Sequence, residues 1–199
     1  MSDTENRVLE YIRTEIPGLE AHLVGTRDFA LEIAGKWFKD MEKEKIVFAA
    51  LCHDLARLVD PSDIVSELKS RGIDPDSVGF VTPILLHGFL SAEIAKEKFG
   101  VDDGEILDAV RWHATGRDDM TDLEKIIYVA DKIEETRDYP GVEELRNVVV
   151  EDFQTGFQRV VASVIEYVVA RSQPLDYNSV DAWNRAIRDS DLRSGGLRK

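Results

Sequence analysis

Apolar residues recur every three or four positions almost from end to end of this chain, and no stretch shows the strict alternation of a half-buried strand. Val8, Leu9, Ile12 and Ile16 mark a first helix that Pro17-Gly18 stops. Leu23, Phe29, Ile33, Ala34 and Trp37 mark a second from about Leu19 to Phe38. A third is expected from about Lys43 to Leu58. Its middle, Ile46-Val47-Phe48-Ala49-Ala50-Leu51-Cys52, is apolar on nearly every side, as a central buried helix requires. Asp60-Pro61 opens a shorter helix to about Arg71, Asp74-Pro75 is a further start signal, and Thr82-Pro83 precedes a helix ending near Gly100. The next runs from about Asp103 to Ala114. Thr121 and Glu124 form a capping-box pair ahead of Ile126-Ile127-Tyr128-Val129-Ala130-Asp131, which places Asp131 mid-helix on the side shared by Leu123 and Ile127. Pro140-Gly141 begins another helix, Phe153 to Ala170 forms a long amphipathic one, and Tyr177 to Arg188 a short last one. Asp191 to Lys199 lacks periodicity and reads as a frayed, flexible tail. The pattern predicts an all-α helical bundle, one domain over residues 1–190 with a tail at 191–199.

Composition narrows the classes of function. The net charge of -14, from 25 basic and 39 acidic residues, repels nucleic-acid phosphates, and no local basic patch offsets it. No apolar run approaches the roughly 20 residues that cross a bilayer. The single cysteine, Cys52, excludes an internal disulfide, and no leader-like segment opens the chain, so a cytoplasmic protein is expected. Cys52 itself is expected to pack in the core.

The chemistry lies in six residues: His22, the His53-Asp54 pair, His87, His113 and Asp131. The chain has only four histidines, and all four belong to this set. The gaps between them fit ligands on five helices converging on one cleft, with His53-Asp54 leaving the buried third helix about 100° apart so that Asp54 leans toward a second ion. Imidazole nitrogen with carboxylate oxygen suits iron, manganese, cobalt, nickel or zinc, whereas calcium and magnesium prefer oxygen alone. A buried Asp131 without compensation is costly, which favours a shared site over six unrelated polar residues. No G-x-S-x-G elbow, phosphate-binding loop or dinucleotide fingerprint supplies another centre. Asp74 to Gly79 resembles the start of a calcium loop only superficially, since Val78 occupies a ligand position.

The order His, His-Asp, His, His, Asp resembles that of HD-type metallohydrolases. The run HGFLSAEIAKEKFGVDDGEILDAVRWHATGRDDMTDLEKIIYVADKIEETRDYPGVEELR, together with LCHDLAR and the segment from His22 to Gly25, resembles the bacterial YqeK family of HD-domain hydrolases. The resemblance covers roughly residues 18 to 188. It implies an HD-domain helical bundle with a dinuclear centre, iron foremost, in its central cleft, and symmetrical cleavage of diadenosine tetraphosphate to two ADP. One ion would take His22, His53, Asp54 and Asp131; the other would take His87 and His113 and share Asp54. A hydroxide bridging the two ions would attack phosphorus, because such ions bring the pKa of water down toward ~7.

Candidate substrate contacts are Arg57, one turn beyond His53, and Thr115 and Arg117 in the segment after His113. Arg137, which follows Glu134-Glu135-Thr136, and Gly88 complete the set. Family members usually carry lysine at Arg57; arginine adds bidentate geometry but cannot donate a proton. Gly88 leaves room either for a ligand or for close helix packing. Tyr177 and Asn184 are weaker candidates for the nucleoside. The helix Phe153–Ala170 either closes the core or forms the face of a homodimer. Another HD-type nucleotide phosphohydrolase and a non-catalytic nucleotide sensor are the competing functions, and the choice between adenine and guanine is open.

Overall fold

The structure, a computed structural model, describes residues 3–75 and 82–193, with the side chains of 191–193 left aside. Ten α-helices are present among the described residues, with no strand: α1 (Asp3–Glu15), α2 (Glu20–Trp37), α3 (Lys43–Cys52), α4 (Pro61–Ser70), α5 (His87–Phe99), α6 (Gly104–Trp112), α7 (Asp122–Ile133), α8 (Val142–Glu151), α9 (Phe153–Ala170) and α10 (Tyr177–Arg193). Short 3₁₀ turns at Pro17–Leu19 and Pro83–Leu86 lead into α2 and α5. The element expected from Asp74-Pro75, and the stretch Asp76 to Gly79, fall largely outside the described residues.

Local signals explain most boundaries. Pro17 bends α1 into the first 3₁₀ turn, where the Leu19 amide donates to Ile16 O at 2.9 Å. Asp60, Asp103, Thr121 and Asp152 each accept a backbone N–H at a helix start, and Thr121 with Glu124 closes the expected capping box. Gly100, at φ +70°, ends α5 in the left-handed conformation that glycine adopts without a Cβ penalty.

Two helices end earlier than periodicity predicts, and both ends matter. The third stops at Cys52 instead of Leu58, and α6 stops at Trp112 instead of Ala114. Beyond Cys52 the chain tightens into three-residue turns, with the Arg57 amide on Asp54 O at 3.0 Å and the Val59 amide on Ala56 O at 3.1 Å. The Ala56 amide donates instead to the buried Ser91 Oγ on α5, at 2.9 Å. A side-chain acceptor from another helix thus replaces the helical carbonyl. At the other end α10 continues to Arg193, so Asp191 to Arg193 are helical and not part of a frayed tail; residues 194–199 lie outside the described set.

Helix α3 is the buried axis, with Ile46, Phe48, Ala49, Ala50, Leu51 and Cys52 all buried. Helices α2, α6 and α7 pack around it, and α5 lies along α6. One apolar cluster runs from Val8 through α2, α3, α6 and α7 to Ala186, and a smaller one joins Ala56, Ile64, Leu68, Leu86, Phe89 and Leu90. Helix α9 closes the core against α8 and α10 through Phe153, Gly156, Phe157, Val160 and Val161. Among the described residues no helix is long and apolar enough to cross a membrane.

Candidate metal centre

The early ends of α3 and α6 place His53 and His113 at helix C-caps, while His87 opens α5 after its 3₁₀ turn. In each case Nδ1 faces the carbonyl three residues back: His53 to Ala50 at 2.7 Å, His87 to Ile84 at 2.6 Å, His113 to Val110 at 2.7 Å. That contact puts the proton on Nδ1 and turns the Nε2 lone pair inward. His22 on α2 and Asp131 on α7 complete the group.

The six side chains converge in two sets joined by Asp54. In the first, His22 Nε2 lies 3.1 Å from His53 Nε2 and 3.2 Å from Asp131 Oδ1, and Asp54 Oδ2 lies 3.8 and 3.7 Å from the two imidazole nitrogens. In the second, His87 Nε2 and His113 Nε2 are 3.0 Å apart, and Asp54 Oδ1 lies 3.0 and 3.4 Å from them. Asp54 therefore presents one oxygen to each set. The expected picture of two neighbouring side chains diverging from a regular helix is corrected: both residues sit in the turn beyond α3, and the split is made by the two oxygens of one carboxylate.

These groups fit cations. Pairs of imidazole lone pairs face each other at hydrogen-bond distance, and the buried Asp54 Oδ1 has no well-formed hydrogen bond. Burial would raise the Asp54 carboxyl, but the charge of His53 and the approach of His113 and His87 hold it well below the usual carboxylate range. Burial would likewise raise Asp131, and Lys132, His22 and His53 hold it low. Burial would lower His53, but Asp54 and Asp131 hold it above its ordinary value. His113, buried and beside His53, falls to about 4. The cluster sets two fixed carboxylates among imidazole nitrogens, and a nitrogen–oxygen donor set of this kind could hold divalent transition metals.

The other candidate residues divide. Arg57 is nearly half exposed, with Nε 4.0 Å from Asp54 Oδ2. Arg137 donates through Nη2 to Asp131 Oδ1 at 2.7 Å and through Nε to Asp131 O at 2.8 Å, so both guanidinium groups border the cluster. Arg117 is held elsewhere: Nε lies 2.8 Å from the buried Glu124 carboxylate, Nη2 donates to Asp108 at 3.2 Å, and the group stacks 5.5 Å over Trp112. Thr115 is buried and donates to Gly116 O at 2.9 Å. Gly88 faces α6, where a Cβ would lie 2.6 Å from Arg111 O, so glycine serves helix packing there and not ligand access. Tyr177 and Asn184 are exposed on α10. Burial pushes the Cys52 thiol up to about 12, in keeping with a packing role.

Sequence reasoning passed over Lys132, Glu134 and Ser91. Lys132 Nζ donates to Asp131 Oδ2 at 2.5 Å and to His113 O at 2.9 Å, tying the two sets together. Glu134 is fully buried beside His22. The signal for both was their place in the Asp131 segment, one and three residues after a ligand. Ser91 carried no signal at all.

Comparison with known proteins agrees with this geometry. The HD domain family matches residues 19–136. A protein of Bacillus subtilis (strain 168) named symmetrical bis(5'-nucleosyl)-tetraphosphatase is 34% identical over 169 residues, 85% of this chain and 89% of that protein. A protein of the same name from Halalkalibacterium halodurans is 29% identical over 83% of this chain and 87% of its own length. The crystal structure of a predicted HD superfamily hydrolase from Clostridium acetobutylicum, described as involved in NAD metabolism, superposes with a TM-score of 0.84 at 30% identity, covering 92% of this chain and 97% of that one. With its ligand-type residues spread over the matched helices in HD order, the chain belongs to the HD-domain hydrolase family, in the YqeK-like group of symmetrical bis(5'-nucleosyl)-tetraphosphatases.

Proposed function

We propose that this protein hydrolyses diadenosine tetraphosphate symmetrically, giving two ADP, at a centre of two divalent metal ions. The observation that carries the reading is Asp54, whose two oxygens each face a separate set of nitrogen donors. His22, His53, Asp54 and Asp131 would hold one ion; His87, His113 and Asp54 the other. Of the metals this donor set accepts, we assign iron, with manganese, cobalt, nickel and zinc as competitors. When bound, two such ions supply an acidified water at neutral pH and neutralise phosphate charge.

The chain's own residues supply the rest. Hydrolysis of a phosphoanhydride demands positioning and charge neutralisation more than covalent help from protein. Arg57 and Arg137, on the border of the cluster, are assigned to the polyphosphate oxygens. The oxygen of water bonds to one of the two inner phosphorus atoms, the bond from that phosphorus to the central bridging oxygen breaks, and this oxygen leaves with the second ADP. That leaving group is weakly basic, so an arginine at position 57 suffices where a proton donor is not needed. Thr115 and Arg117 are assigned to shaping the loop after His113. The net charge of -14 fits a small polyphosphate, neutralised locally by bound ions and by Arg57 and Arg137, better than nucleic acid. We place the protein in the cytoplasm, and assign any self-association to the outer face of α9, where Tyr167 and Val169 are exposed.

The deciding experiment combines metal analysis of anaerobically purified protein with chromatography of the products from diadenosine tetraphosphate, for wild type and Asp54→Ala. The expected result is close to two metals per chain and ADP alone as product, with activity reduced more than about 100-fold in the variant. Production of ATP and AMP would refute symmetrical attack. Bound metal without turnover would transfer the protein to another nucleotide substrate or to a sensor role.

A further inference from the structure

Three of the four cluster histidines obtain their Nδ1 acceptor from their own local backbone. His22 does not. It lies in the first turn of α2, and its Nδ1 faces Glu134 Oε1 at 3.0 Å, from a residue 112 positions away in sequence. Glu134 caps the C-terminus of α7, three residues after Asp131, whose Oδ1 lies 3.2 Å from the other nitrogen of the same ring. The end of α7 therefore faces the His22 imidazole at both nitrogens.

A fully buried carboxylate is costly unless its oxygens are satisfied, and those of Glu134 are. Oε1 also accepts the Thr136 hydroxyl at 2.6 Å, and Oε2 accepts the Thr136 amide at 2.6 Å. The carboxylate is thus anchored on its own loop before it meets His22. Space for it comes from Gly25, three residues after His22 on the same face of α2. A Cβ there would stand 2.4 Å from Glu134 Oε2. Glycine inside a helix is unfavourable, and this contact supplies a reason for it.

We infer that Glu134 is a positioning residue for His22, holding its proton on Nδ1 and aiming Nε2 at Asp131 and His53, and that Gly25 is the gap through which the carboxylate reaches it. A carboxylate partner also makes the ring a stronger donor. The inference rests on the metal-centre reading.

The test is titration of the metal-free full-length chain with Co²⁺, following visible absorption against a competing chelator, with urea denaturation of each metal-free variant. Glu134→Gln is expected to weaken the tighter Co²⁺ site about 10–100-fold. Gly25→Ala, which touches no ligand, is expected to weaken it in the same direction. In a Glu134→Ala background the Gly25→Ala change is expected to add nothing, because the group it displaces is gone. Two Co²⁺ bound by wild type with unaltered affinity in Glu134→Gln and Glu134→Ala would overturn this inference alone and confine Glu134 to bracing the Thr136 loop. An equal effect of Gly25→Ala in both backgrounds would overturn the role of Gly25. A wild type that takes up no Co²⁺ would overturn the metal-centre reading along with it.

Discussion

At the scale of single residues, neighbouring groups of similar appearance do different work. His87 turns a nitrogen toward Asp54, while Gly88 beside it serves only the approach of α5 to α6, with a Cβ position 2.6 Å from Arg111 O and 3.0 Å from Val110 O. Backbone atoms cannot move aside as a side-chain tip can. Gly88→Ala should therefore destabilise the protein by about 1–3 kcal/mol through overpacking. Gly35, exposed on α2 with nothing within 4 Å of its Cβ position, offers the contrast. Gly35→Ala should stabilise by roughly 0.5–1 kcal/mol from helix propensity. Urea denaturation of the two variants checks both, and equal midpoints would contradict the packing role of Gly88. Arginines divide in the same way: Arg137 and Arg57 border the cluster, while Arg117 is committed to Glu124 and Asp108.

At the scale of elements, helix ends decide the site. α3 and α6 stop where their C-cap histidines must turn inward, and α6 is started by Asp103, which accepts the amides of Glu105 and Ile106 at 2.8 and 3.4 Å. The hydrogen bond from Lys45 holds the Asp103 carboxyl below its ordinary value of 3.8. The sign follows from linkage. Below 3.8 the unfolded chain binds a proton that the folded chain still refuses, so the stability this carboxylate contributes is complete above that pH. It is lost as the pH falls through the lower folded value. The protection of the Glu105 and Ile106 amides, their exchange rate taken relative to that of the free peptide at the same pH, should fall on acidification below 3.8 in wild type, and Asp103→Asn should flatten that dependence. A wild-type profile identical to that of the variant would remove the capping carboxylate from the account of α6.

At the scale of the whole molecule, α2, α3, α5, α6 and α7 are tied together twice, by the apolar core and by the polar cluster at its centre. Ions bound only by the folded chain add stability in proportion to the logarithm of their excess over Kd, about 2.7 kcal/mol at 100-fold. Chelation of metal-loaded protein should thus lower Tm by roughly 5–10 °C for a chain of this size, reversibly on adding metal back. An unchanged Tm in scanning calorimetry would show that the cluster closes without ions. Much of this was legible beforehand. Helical periodicity is local and repetitive, so α9 was placed to the residue and the Thr121–Glu124 cap correctly. With only four histidines in the chain, the choice of cluster members was equally narrow. The true end of α3 was not legible, because Ser91 Oγ takes an amide that periodicity assigned to the helix, and that contact spans 35 residues. Nor were the roles of Gly88, Arg117 and Glu134, which depend on what faces them from another helix. The sequence by itself determined which elements form and which residue types carry the chemistry, since both follow from neighbours along the chain. Tertiary structure alone decided which oxygen, nitrogen and glycine face one another, because those contacts exist only once distant helices pack.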